Sequence, residues 1–139
     1  MKKLLVSLLL VTQFSCIGKA QENTIAIQIP TTDSLKTDTL SLLFVGDLMQ
    51  HQGQINAART TEGGYDYSSY FEYVKEEISR ADFAIANLEV TLGGKPYKGY
   101  PAFSAPDEYL TAIHNAGFNV LITANNHSLD RGRKGLERT

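Results

Sequence analysis

Three short stretches hold most of the side chains able to bind a cation or move a proton. They are FVGDLMQH (Phe44 to His51), IANLE (Ile85 to Glu89) and TANNHSLD (Thr123 to Asp130). Each is an apolar run that ends in a carboxylate or an amide: Asp47 in the first, Asn87 and Glu89 in the second, and Asn125, Asn126, His127 and Asp130 in the third. Carboxylate oxygen, amide oxygen and imidazole nitrogen together suit Zn, Mn, Fe or Mg rather than a thiolate-seeking metal. Two such ions ~3.5–4 Å apart, bridged by a carboxylate, would activate water and clamp a phosphoryl group.

This chemistry needs the three run ends to meet. The run LSLLFV (Leu40 to Val45), closed by Gly46-Asp47, reads as a strand buried on both faces. A long polar loop, Met49 to Asp66, follows. Tyr70, Phe71, Val74, Ile78 and Ala81 then recur at helical spacing, with Ser69 and Glu72 placed as a capping box. A second strand is expected from Asp82 to about Asn87. The Gly-, Pro- and Tyr-rich segment Thr91 to Pro106 reads as a loop whose aromatic and lysine side chains can line a groove. Pro106 opens a short helix with Leu110 and Ile113 on its inner face, and Gly117 stops it. Phe118 to Ala124 is the third strand, and RGRKGLERT after Asp130 begins another helix.

The order β-α-β-α-β implies an α/β fold with parallel strands and right-handed crossovers. Ligands of open parallel sheets bind outside the carboxyl ends of the strands, where neighbours lie about 4.8 Å apart. Three strands and two helices cannot cover both faces of such a sheet, so residues 41–139 are expected to be the first part of a larger domain.

Each candidate side chain also has an ordinary structural role open to it. Asp47 could be a turn residue, Glu89 a loop cap, Asn125-Asn126 a left-handed turn pair and His127 a structural histidine. His51, in a glutamine-rich loop, reads first as solvent-exposed and second as a ligand. Asp130, beside Arg131, orders the turn or orients His127. His114 complements a helix dipole.

The remaining composition narrows the function classes. With 42% hydrophobic and 20% charged residues and a net charge of −2, the 139-residue chain is an ordinary globular sequence. Its basic residues are scattered apart from Arg131, Arg133 and Lys134, so no nucleic-acid partner is indicated. At the N-terminus, Lys2 and Lys3 precede the apolar stretch Leu4 to Val11, which is too short to span a bilayer and reads as an export signal. Gly18 and Ala20 offer a cleavage point giving a signal at residues 1–20. Alternatively, Cys16 offers a lipid anchor. Cys16 is the only cysteine, which excludes an intramolecular disulfide. Residues 21–40 form a polar linker, and the chain is expected to be exported to the cell envelope, in the periplasm or on the outer surface.

FVGDLM, IANLE, the FSAP segment (Phe103 to Pro106) and ANNHSLDRGRKGL, in this order and spacing, resemble the bacterial CapA family of poly-γ-glutamate capsule biosynthesis proteins, within the calcineurin-like metallophosphoesterase superfamily. The resemblance runs from about Leu42 to the end. It implies the N-terminal part of a four-layer α/β/β/α sandwich, two divalent ions in the complete domain, and hydrolysis of a phosphoester or a capsule polymer. By the same resemblance Asp47 matches the first metal-binding aspartate, and Glu89, or else Asn87, stands where the superfamily places its bridging carboxylate. Asn126 is a ligand and His127 a general acid. Met49 stands where the superfamily's first motif has histidine, with His51 as a displaced substitute, and NLE replaces Gly-Asp-x-x-Asp. These departures leave open a non-catalytic surface subunit that binds or helps export an anionic polymer, together with capsule-synthesis membrane proteins.

Overall fold

The computed structural model describes residues 37–139. The expected signal, the lipidation point Cys16 and most of the polar linker lie outside the described residues. The elements run β1 (Leu42–Leu48), α1 (Gln52–Ala57), a 3-10 turn (Ser68–Phe71), α2 (Lys75–Ser79), β2 (Phe83–Leu88), α3 (Asp107–Asn115), β3 (Val120–Ile122) and α4 (Gly132–Arg138). The three strands form one sheet in the order β1-β2-β3, and both pairings are parallel. The α/β fold class with parallel strands is therefore as expected.

β2 alternates: Ala84, Ala86 and Leu88 are buried while Ile85 and Asn87 are only partly covered. The buried side packs against Ile78, Tyr109, Ile113, Ala116 and Phe118, and against Val90, Leu92, Phe103 and Ala105 of the long loop after β2. Burying a side chain such as Ile113, which is fully enclosed, contributes about 1.5–3 kcal/mol. Among the described residues, the opposite side has no layer on it. In register across the sheet, Phe44, Ile85 and Val120 share that face, as do Leu42 and Phe83, and Phe44 is 70% exposed. β1 is thus not buried on both faces as its apolar run suggests. Among the described residues it is an edge strand with one covered side, the side that faces the core cluster.

β1 also does not stop at Gly46-Asp47. It continues to Leu48 through an irregularity: Phe44 pairs with Ile85, yet Asp47 pairs with Asn87. Val45 and Gly46 together oppose Ala86, which is one extra residue on β1. Were the same residues paired without this irregularity, Asp47 would align with buried Leu88 and point into the core. Because side chains alternate between faces, setting two residues of β1 against one of β2 shifts the carboxylate to the face that carries Asn87.

Two expected elements differ. The Met49–Asp66 loop contains α1, whose only buried side chain is Ile55. The helix expected from Tyr70 to Ala81 is divided into the 3-10 turn and α2. Tyr70 and Phe71 turn inward onto Tyr67, Tyr109 and Phe118, with ring centroids 5.0 to 6.4 Å apart. This leaves Tyr73 94% exposed. The Ser69–Glu72 capping box does not form; the Glu72 N–H instead donates to the Ser69 carbonyl.

α3 starts one residue after Pro106 and ends before Gly117, whose φ of +110° is the left-handed conformation expected of a glycine stop. α4 is held to α3 by a bidentate Arg138–Asp107 pair at 2.9 and 2.7 Å. The loop after β2 reaches back to α1 at Gly99, where a β-carbon would lie 2.4 Å from the Gln52 nitrogen. Among the described residues, no helix is long and apolar enough to cross a membrane.

Candidate functional site

The carboxyl ends of the three strands bring six of the expected polar residues together. The shifted register puts Asp47 beside Asn87. The Asn87 amide nitrogen donates to Asp47 Oδ1 at 2.8 Å and to Glu89 Oε2 at 3.0 Å. Glu89 follows β2 directly, and its N–H donates to the Leu48 carbonyl at 3.1 Å, which fastens the ends of β1 and β2. Beyond β3, the Asn125 side chain donates to Asn87 Oδ1 and to the Leu88 carbonyl, both at 3.0 Å.

His127 closes the cluster. Its Nδ1 lies 2.8 Å from Asp130 Oδ2, which also accepts the Phe103 N–H at 2.7 Å. An ionised carboxylate only accepts, so Nδ1 carries its proton toward Asp130 and Nε2 is the ring nitrogen that faces the cluster. Nε2 points toward Glu89, 3.9 Å from Oε1. The His127, Glu89 and Asp130 side chains are only 13–14% exposed. Phe103, itself buried, stands edge-on to His127 at 4.7 Å and to His51 at 5.4 Å, forming an apolar wall between the two imidazoles.

Burial pushes the Glu89 carboxyl above the usual glutamate range, and the Asp47 carboxyl against it pushes the same way; His127 offsets part of this. An exposed Asp47 carboxylate gathered against a largely covered Glu89 favours a bound proton or a cation between them. This is the chemistry a divalent ion would exploit.

The remaining expected ligands are placed differently. Asn126 is exposed, and its amide makes no hydrogen bond among the described residues. His51 caps α1, where its N–H donates to Gln54 Oε1 at 2.7 Å, and it reaches the site only through Phe103. Asn87 turns its nitrogen, not its oxygen, toward the two carboxylates. Met49, at the motif's histidine position, packs against the core. Among the described residues, no three His, Cys, Asp or Glu side chains close around one point.

Sequence reasoning missed one role and one participant. Asn125 is among the expected strand-end residues, but that its side chain joins the ends of β2 and β3 is not readable from its position. Phe103 was legible only as one aromatic in a loop; its proximity to Asp130 and two histidines gives no sequence signal.

Comparison with known proteins identifies the surroundings of this cluster. The family "Bacterial capsule synthesis protein PGA_cap" matches residues 41–139. "Capsule biosynthesis protein CapA" of Bacillus anthracis is 31% identical over 112 residues, covering 75% of this chain and 26% of the relative. "PGA biosynthesis protein CapA" of Bacillus subtilis (strain 168) is 31% identical over 131 residues, covering 91% of this chain and 31% of the relative. The chain thus spans about a quarter to a third of the length of these curated relatives. The matched region begins just before β1 and contains all three strand ends, and on these matches the chain belongs to the bacterial capsule synthesis protein family.

Proposed function

We propose that the strand-end cluster is part of a divalent-cation-dependent hydrolytic centre in a cell-envelope protein of capsule, or poly-γ-glutamate, biosynthesis. The observation that carries this reading is the Asp47–Glu89 carboxylate pair, held by one amide, with His127 Nε2 3.9 Å from Glu89 and Asp130 behind the ring. The relatives' names support the biosynthetic setting.

The donor set suits a hard or borderline cation such as Mn, Zn, Fe or Mg. Asp47 and Glu89 would hold it, with Asn126 as the exposed amide able to turn inward, and further ligands would complete a pair of ions. Bound there, such an ion polarises a phosphoryl or carbonyl oxygen and lowers the pKa of water. His127, fixed by Asp130, holds a proton at the leaving-group side, and Phe103 limits water around the imidazole. Substrates are phosphoesters or linkages of an anionic polymer, and partners include capsule-synthesis membrane proteins. Export through residues 1–20, with or without lipidation at Cys16, would deliver the protein to the envelope.

Met49, packed into the core where a ligand histidine is expected, favours a second reading in which the protein binds or helps export the polymer without catalysis. Elemental analysis of the full-length protein, purified without chelators, tests the first reading: about two divalent ions per chain are expected. Metal-free protein would sink it. Alanine at Asp47 and His127 then separates the two readings, since polymer production that survives both substitutions favours binding over catalysis.

A further inference from the structure

We infer that Asn125 is a positioning residue that fixes the polarity of Asn87 and, through it, the aim of the Asp47–Glu89 pair. The inference rests on the cation-centre reading and adds a residue which that reading does not use. An asparagine amide can ordinarily turn end for end, exchanging donor and acceptor. Asn125 cannot, because both of its ends meet backbone groups of fixed sign. Its nitrogen donates to the Leu88 carbonyl at 3.0 Å, and its oxygen accepts the His127 N–H at 3.0 Å. Turned over, it would set oxygen against oxygen and N–H against N–H.

The second hydrogen of the same nitrogen goes to Asn87 Oδ1 at 3.0 Å, which in turn forbids Asn87 from reversing. Asn87 is left with two N–H bonds facing outward, one for Asp47 and one for Glu89. The two amides have four N–H hydrogens between them, and all four meet an acceptor. Asn87 is thereby a clamp holding two carboxylates at a set spacing, with their remaining oxygens available. The same Asn125 grips the His127 backbone, so the proton-holding imidazole and the carboxylate pair are indexed to one side chain. His127 Nε2 is consequently held near Glu89 from both directions, by Asp130 on the ring and by Asn125 on the main chain.

Mn²⁺ binding to the full-length protein, followed by electron paramagnetic resonance, tests this with N87A, N125A and the double variant. Loss of a residue that orients a ligand costs about 10–100-fold in metal affinity. Each single variant should weaken Mn²⁺ by that amount, and the double variant no more than the weaker-binding single, because Asn125 acts through Asn87. Losses that multiply, or an N125A protein with wild-type affinity, overturn the inference. Wild-type protein that binds no Mn²⁺ refutes the cation reading alone. The relay is then read directly from side-chain amide resonances in the ¹⁵N spectrum. N125D, which puts an acceptor where Asn87 needs a donor, should shift the Asn87 pair. It should leave the Asn119 pair, at the far end of the sheet, in place. An Asn87 pair that does not move in N125D refutes the relay whether or not metal binds.

Discussion

At the end of the sheet where the strands begin, Asp82 is surrounded by donors. The Ser41 N–H and hydroxyl both reach Asp82 Oδ2 at 2.8 Å, and the Ser41 Oγ accepts the Asp82 N–H at 3.0 Å. Asn119 adds two ties, accepting the Ala84 N–H and donating to the Asp82 carbonyl, both at 2.9 Å. The bonds from Ser41 hold the Asp82 carboxyl below the usual aspartate range. At the end where the strands finish, acids and asparagines recur but the balance is reversed. Glu89 meets a second carboxylate, and burial and that neighbour raise its proton affinity. Acids matched by donors fasten a sheet, whereas acids in excess of donors leave room for a cation. Composition alone does not separate a structural Asp/Asn cluster from a functional one; donor count does.

The comparison is broken most sharply by exchanging the roles of the two ends. In the full-length protein, His127→Ala should lower hydrolysis by about 10²–10⁴-fold with the unfolding midpoint little changed. Steady-state rates beside a thermal melt decide this, and an equal rate would mean that His127 is structural, as Asn119 is. Asn119→Ala should do the reverse. It leaves the Ala84 N–H without its acceptor and should cost about 1–3 kcal/mol in urea unfolding, with Mn²⁺ binding intact.

The smallest effect concerns pH. A carboxyl whose folded pKa is raised contributes stability below its unfolded value, near 4.5 for Glu89, and loses it as pH rises through the folded value. Cation-free protein should therefore become less stable as pH climbs from about 4.5 through that window, and Glu89→Gln should flatten the decline. For Asp82 the sign is opposite: its contribution is present above 3.8 and vanishes as pH falls through its lowered value. Urea unfolding across pH reads both, and a Glu89→Gln profile parallel to the wild type would remove the contrast.

Much of this was legible in the sequence. The strand order followed from apolar runs separated by helix-length segments, and the convergence of Asp47, Asn87, Glu89 and His127 followed from parallel pairing. Helix boundaries were less accessible. α1 has a single buried residue and so no period to detect, and the aromatics at Tyr70 and Phe71 make contacts that a helix continuing to Ala81 would not allow. The site's residue types were readable but its bond directions were not. Whether Asn87 offers oxygen or nitrogen depends on Asn125, 38 positions away in the chain. Likewise, Gly46-Asp47 looks like the close of a strand, because a glycine before an aspartate is as compatible with a turn as with an inserted strand residue.

That inserted residue has a consequence for how this region tolerates change. A β-carbon at Gly46 would meet nothing within 4 Å, so the segment accepts a larger side chain there. Removing one of the two residues opposite Ala86 is also compatible with the site, since the ladder would become regular with Phe44 still opposite Ile85 and Asp47 still opposite Asn87. The site is thus guarded by the pairing of Asp47 with Asn87 rather than by residue identity or number at Val45 and Gly46. A deletion of three nucleotides there would straighten the strand and leave the carboxylate in the cluster.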